Sequence, residues 1–218
     1  MSTGQHTMAN GSGSTGARVP ARLETDSVVD AAMRLIAERG WENVSLRDIA
    51  KAAGVPLAAL YARFPGKTRI LEAFTERVDT AVLSEHDPED TRGEPARDRL
   101  FDVLMQRFDH LQPYRTAIRS ILESYQRAPS QALGGLRRLR RSMTWMLDCA
   151  DLTAGGVRGE MRVAGLCGIY LATLRTWVDD DSTDMATTMA TLDGYLRRLE
   201  RPIAMVEGVP EPGRAPAA

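Results

Sequence analysis

Apolar residues recur at helical spacing along most of the chain, and no stretch alternates as a half-buried strand would, so the expected fold is all-α. In the first periodic run Val28, Ala32, Leu35 and Ile36 share one face, with Thr25 or Asp26 as its cap and Gly40 as its stop. Trp41 and Val44 follow where they can pack beneath the next segment. That segment, Ser45 to Lys67, carries the densest local signals. Ser45 is an N-cap residue, and Leu46, Ile49, Ala50 and Ala53 form one apolar face. Gly54 suits the left-handed position that closes a helix, and Pro56 suits the opening of the next. Leu60 and Phe64 continue the buried stripe until Pro65-Gly66 breaks it.

Past the break, Lys67 to about Leu83 is a longer helix with Ile70, Leu71, Phe74 and Val78 turned inward. Ser84–Pro95 is polar and reads as a loop. Five more helices are expected. Ala96–Gln112 buries Leu100, Phe101, Leu104, Phe108 and Leu111, and Tyr114–Arg127 buries Ile118, Ile121, Leu122 and Tyr125. Gln131–Cys149 buries Leu136, Leu139, Met143 and Leu147 and turns Arg137, Arg138, Arg140 and Arg141 to solvent. A Gly-rich loop, Asp151–Gly159, leads into the very apolar Glu160–Val178. Ser182 caps the last helix, which buries Met185, Met189, Leu192, Leu196 and Leu199 and ends at Pro202. Residues 1–21, rich in Gly, Ser and Thr, and 205–218 are expected to be disordered arms.

A chain of 218 residues with 43% hydrophobic and 26% charged residues has enough apolar material for a sizeable core. A formal net charge of -1 gives no global attraction to nucleic acid. Locally the balance differs: Arg47, Lys51, Arg63, Lys67 and Arg69 face only Asp48 between positions 47 and 69. The two cysteines, Cys149 and Cys167, have no metal-ligand spacing, no apolar run approaches membrane-span length, and the N-terminus has no hydrophobic signal core. A cytoplasmic protein without membrane insertion is expected. The three histidines are scattered, and Gly66-Lys67-Thr68 lacks both the earlier glycine and the strand of a phosphate-binding loop. No catalytic, metal or cofactor site is expected. The acidic run Asp179–Asp181 with Asp184 is explained by the helix N-terminus that follows it.

A helix, a glycine turn and a second helix of this size make the helix-turn-helix pattern, whose second helix enters the DNA major groove. The run from Arg22 to about Val82 resembles the N-terminal domain of TetR/AcrR transcriptional regulators. The matching marks are Gly40-Trp41, Ser45–Ala50, Ala53-Gly54-Val55, Leu60-Tyr61, Phe64 and Lys67 ahead of Ile70-Leu71. The resemblance implies a three-helix DNA-binding head over 22–82, with its motif at 45–64, on a helical ligand-binding and dimerisation body over 96–201. It implies a homodimeric repressor on a palindromic double-stranded operator, modulated by a small apolar ligand. Ser45, Arg47, Leu57, Ala58, Ala59, Tyr61, Arg63 and Lys67 then fall at the DNA. Tyr61, Arg63, Arg47 and Lys67 suit phosphates, and Leu57, Ala58 and Ala59 can touch thymine methyl groups but cannot form paired hydrogen bonds to bases. Phe101, Leu104, Met105, Phe108, Ile121, Tyr125, Met143, Trp145, Met146 and Tyr170 are the expected ligand residues. Gly165, Gly168, Ala172, Met189, Leu192 and Leu196 are the expected subunit contact. Segments Asp98–Asp102, Pro113–Arg115 and Arg162–Leu196 also resemble a lipid-binding family of coenzyme Q biosynthesis that shares the fold, which gives a competing reading without DNA.

Overall fold

The computed structural model describes residues 21–86 and 93–207, with side chains over 25–86, 93–128 and 134–198. The expected arm over 1–20, the middle (87–92) of the Ser84–Pro95 loop, the side chain of Leu199 and the tail beyond 207 lie outside what is described. The described residues form helices α1 (Ala21–Arg39), α2 (Leu46–Ala53), α3 (Leu57–Arg63), α4 (Lys67–Glu85), α5 (Ala96–Leu111), α6 (Arg115–Arg127), α7 (Pro129–Cys149), α8 (Gly156–Val178) and α9 (Ala186–Glu207). Short 3-10 turns occupy Trp41–Asn43 and Gln112–Tyr114. No described residue is in a strand.

The head, α1 to α3, rests on the body through α1 against α6 and through α4, which packs on α1, α5 and α7. One hydrophobic core runs through both: Ile36, Ile49 and Phe64 in the head join Val82, Leu104, Phe108, Met146 and Trp177 in the body. The body is closed by α8 packed along α9, with α5 behind them. Phe108 stacks on Tyr170 with ring centroids 5.3 Å apart and meets Trp177 at 5.7 Å, which pins α5 to α8. The C-terminal carbonyls of α8 and its turn are covered by α6: Arg119 donates to the Val178 carbonyl and Arg115 to that of Asp180. Among the described residues no helix is long and apolar enough to cross a membrane.

The helix ends depart from the sequence reading in physically clear ways. Helix α1 begins at Ala21, ahead of the Thr25 or Asp26 cap, because Ala21 to Glu24 are strong helix formers. Helix α8 begins at Gly156 rather than Glu160. The loop before it folds back so tightly that a Cβ on Gly159 would overlap the Ala154 carbonyl group, so glycine there serves close approach and does not extend the loop. Helix α9 begins at Ala186, not Ser182, and continues past Pro202 to Glu207: proline removes one backbone donor without ending the helix. Leu136 points outward at 50% exposure, whereas Arg138 of the same helix is buried.

The start of α9 is built on Asp180. Its carboxylate is buried and accepts from Ser182 N–H (3.1 Å), Ser182 Oγ (2.5 Å), Thr188 N–H (2.8 Å) and Thr188 Oγ1 (2.6 Å). Ser182 Oγ and Asp184 Oδ1 in turn accept from the Ala186 N–H. Burial alone would raise the Asp180 pKa; the hydrogen bonds from Ser182 and Thr188 outweigh it and hold the carboxyl well below its usual range. A depressed native pKa means that this contribution to stability is complete above the ordinary carboxyl value of ~3.9 and is lost as pH falls below it. Asp180→Asn should cost about 1 kcal/mol or more at neutral pH, since an amide nitrogen replaces one acceptor. Its stability should also fall less steeply below pH ~4 than that of the wild type. Thermal melts of both proteins from pH 3 to 7 test this; parallel curves would contradict it.

Candidate nucleic-acid interface and ligand cleft

Two caps bound α2, and the second sets its angle to α3. Ser45 and Asp48 form a reciprocal capping box, with Ser45 Oγ accepting from Asp48 N–H at 3.2 Å and Asp48 Oδ2 accepting from Ser45 N–H at 3.0 Å. Side-chain and backbone hydrogen bonds from Ser45 hold the Asp48 carboxyl below its usual range. At the other end Gly54 is left-handed (φ 69°), and Val55 N–H and Gly54 N–H donate to the Ala50 and Lys51 carbonyls, a Schellman cap. Pro56 stands just before α3. Helix α3 buries Leu60 and leaves Leu57, Ala58, Ala59, Tyr61, Ala62 and Arg63 open to solvent. Tyr61 is 62% exposed. Arg47 on α2 is also exposed, and neither it nor Arg63 has a carboxylate partner among the described residues; Arg63 lies over the Phe64 ring at 5.9 Å.

Two of the expected DNA residues are already engaged within the head. The Ser45 hydroxyl is held by its own cap, donating to Asp48 Oδ2 at 2.5 Å. Lys67 turns inward: its Nζ donates to the Trp41 carbonyl at 2.5 Å and stands 4.4 Å from the centroid of the Trp41 ring. Desolvation lowers the Lys67 pKa, with Glu42 working in the opposite direction. The turn that Lys67 grips is also held by the body. Trp41 N–H donates to Ser120 Oγ on α6 at 2.9 Å, and Ser124 Oγ one turn later donates to Glu42. Gly40 precedes this turn at φ 83°, ψ 153°, a conformation open essentially to glycine alone, with Ser120 Oγ close against it.

The body holds a cleft of about 480 Å3 between α4, α5, α6, α7 and α8, within the ~300–1,000 Å3 range of small-molecule sites. Leu71, Phe74, Leu111, Ile118, Ile121, Leu122, Leu139 and Leu174 give it mainly apolar walls. Of the ten expected ligand residues only Ile121, Tyr125 and Tyr170 line it. Leu104, Phe108, Met143 and Met146 are completely buried in the packed core, as is nearly all of Met105. Phe101 packs against that core, and Trp145 is 49% exposed on the outside of α7. The cleft also has a polar side that the sequence reading missed. Arg107 is buried and pairs with Asp79, which also accepts from Ser142 Oγ at 2.6 Å, while Arg107 Nε donates to Tyr170 Oη at 3.1 Å. Burial raises the Tyr170 pKa despite Arg107 beside it, so the phenol stays neutral. Arg138, assigned from sequence to a solvated face, is 9% exposed and lines the cleft.

The expected subunit-contact residues separate into two groups. Leu192 and Leu196 are buried within the chain and cannot face a partner as it stands. Met189 is half-buried against the same core. Gly165 and Ala172 are half-buried and Gly168 is exposed, with open space above it. The face of α8 that is open instead carries Val157 (79% exposed), Met161 (67%), Ala164, Gly168 and Leu171, spaced i, i+4, i+7, i+11 and i+14.

A head with this turn geometry on an all-helical body defines a helix-turn-helix protein of two-part design. Residues 28–74 match the model for bacterial regulatory proteins of the tetR family. The nucleoid occlusion factor SlmA of Haemophilus influenzae is 35% identical over 75 residues, which cover 34% of this chain and 34% of SlmA. The HTH-type transcriptional repressor ComR of Escherichia coli is 31% identical over 68 residues, 31% of this chain and 32% of ComR. The match thus spans about a third of the length of these relatives. A TetR transcriptional regulator from Nitrosomonas europaea superposes with a TM-score of 0.67 at 25% identity, covering 81% of this chain and 98% of that one. Residues 28–74 thus match the N-terminal domain of that family, and the chain as a whole is similar in fold to a regulator of the TetR type.

The inward lysine separates two roles by experiment. Lys67→Met keeps the aliphatic stem but loses the bond to Trp41 and the cation over its ring, so stability should fall by ~1–2 kcal/mol. Arg63→Ala, on an exposed side chain, should leave it within ~0.5 kcal/mol. Urea unfolding of both variants checks this, and an unchanged midpoint for Lys67→Met would contradict the inward role.

Proposed function

We propose that the chain is a TetR-type transcriptional regulator, a repressor and not an enzyme, that binds a palindromic double-stranded DNA site as a homodimer and responds to a small, largely apolar ligand. The observation that carries it is the outward face of α3. Six of its seven residues are open, and Arg63 and the neighbouring Arg47 have no carboxylate partner among the described residues. Exposed Leu57 and Tyr61 on so short a helix make sense against a groove, where Leu57, Ala58 and Ala59 meet thymine methyl groups and Tyr61 meets the backbone. Arg47 and Arg63 position the head on phosphates. A lipid carrier of the same fold would use the cleft but would need neither the two caps nor these free cations, so the head favours the regulator.

The ligand acts through α4. Leu71, Phe74 and Thr75 of α4 line the cleft, and the same helix begins at Lys67, with three residues between it and the end of α3. The second contact is α6, which offers Ile118, Ile121 and Tyr125 to the cleft and Ser120 and Ser124 to the Trp41 turn. The dimer forms over the open strip of α8. An apolar strip of this length is an interaction surface, and Gly168 lets a partner helix approach closely.

Duplex affinity measured against salt tests the DNA reading. Arg63→Ala should weaken binding to all sequences alike and reduce the slope of log K against log salt by about 1. A wild-type protein without salt-dependent duplex affinity would contradict the proposal. Sedimentation equilibrium tests the dimer: Met161→Glu should yield a folded monomer, and Leu192→Glu should unfold the chain instead of merely dissociating it. A wild type that is monomeric at micromolar concentration would overturn the dimer.

A further inference from the structure

We infer that the cleft takes an amphipathic anion, a carboxylate head on a hydrocarbon tail, and that Arg138 receives the head. This rests on the reading of the cleft as a ligand site and adds the chemical class of the ligand. Three arginines line the cleft, Arg107, Arg138 and Arg175, and no aspartate or glutamate does among the described residues. Arg107 is paired with Asp79 and donates to Tyr170. Arg138 is not. It is nine-tenths buried, its Nη2 donates to Tyr125 Oη at 3.1 Å, and its Nη1 is buried with no hydrogen-bond partner. Its nearest carboxylate oxygen, Glu72 Oε1, stands 3.8 Å away, beyond hydrogen-bond distance, and the other oxygen of Glu72 is taken by Arg69. Arg175 at the rim is exposed and has no ion pair among the described residues.

A buried guanidinium with an idle N–H is a costly arrangement unless something meets it, because an unmet charged donor forfeits its hydration. A water or a ligand hydroxyl can also accept from that N–H, but the positive charges beside it favour an anion. Tyr125 leaves its phenolic oxygen on the same guanidinium, and Arg175 adds a second positive charge at the opening. A carboxylate can lie along the free edge of Arg138 with its tail against Leu71, Phe74, Ile121 and Leu174. Gly134 and Gly135 lie beside the guanidinium, and a Cβ on Gly135 would stand in ordinary contact with the Tyr125 ring at 3.4 Å. An anion at Nη1 also competes for the cation that faces Glu72 on α4, which links head-group binding to the helix that carries α3.

Isothermal titration of the full chain with decanoate and with decanol, in the absence of DNA, tests the proposal. Decanoate should bind at least about tenfold more tightly, and Arg138→Gln should remove that preference. On the wild type, decanoate labelled at its carboxyl carbon should titrate at least about one unit lower when bound than when free, a readout that needs no variant to fold. Equal binding of acid and alcohol, or a bound carboxyl whose pKa is unchanged or raised, would overturn the acid head while leaving the cleft a ligand site. Failure of both probes to bind would overturn the cleft reading as well. Loss of duplex binding has no bearing on any of these outcomes.

Discussion

The buried pair of Arg107 and Asp79 is the constraint on which the body depends. It joins α5 to α4, and through Ser142 and Tyr170 it reaches α7 and α8, so four helices meet at one charged knot. Such a pair adds little stability compared with well-packed apolar residues, but removing one partner leaves an unmet charge worth ~3–5 kcal/mol. The consequence is registry. Helix α4 cannot slide against α5, α7 or α8 without parting the pair, and α4 is the element that carries the head. The same knot forms one side of the cleft, which is why a cavity in an otherwise apolar body has a polar wall at all.

The head was legible in the sequence because its determinants are local. Ser45, Asp48, Gly54 and Pro56 lie within twelve residues, and each needs only its near neighbours to act, so the caps form as their residue types require. The inward turn of Lys67 is not legible in this way because its partner, the Trp41 carbonyl, is 26 positions away and carries no side-chain signature. The body's helices were legible from their stripes, but the cleft was not. Periodicity tells which face of a helix is buried and cannot tell a filled core from a lined cavity, so the apolar, adaptable character of Leu104, Phe108, Met143 and Met146 fits a ligand wall in the sequence and a packed core in the structure. Helix α7 gives the sharpest lesson. A stripe through Leu136, Leu139 and Met143 turned Arg138 outward, whereas the buried face is rotated to include Arg138, Ser142 and Met146. Their i, i+4 and i+8 spacing was present in the sequence, hidden by the arginines around it and by the habit of reading Arg as solvent-facing.

Helix ends followed the same division. Asp180 was read as an acidic residue favoured by a helix dipole; in fact its carboxylate builds the turn, and the helix starts six residues beyond it. A dipole argument gives the sign of charge preferred near a terminus, not which of several carboxylates is consumed. Counting the donors near each one, Ser182 and Thr188 for Asp180, would have been the better guide.

The unbroken core limits how a ligand could change the head. Trp41, Ile49 and Phe64 belong to the same packed set as Val82 and Phe108, so the head cannot swing as a free domain on a linker. Packed cores shift between discrete arrangements and do not deform gradually. Two rigid elements touch both the cleft and the head, α4 through its own N-terminus and α6 through Ser120 and Ser124. Both hold the Trp41 turn, from opposite sides: Lys67 at its carbonyl and Ser120 at its N–H. Any movement of α4 relative to α6 must therefore stretch one of these bonds or carry the turn with it. The turn connects α1 to α2, and α2 sets α3 through the Gly54 cap, so a displacement in the cleft reaches the outward face of α3 by a chain of short, directional contacts.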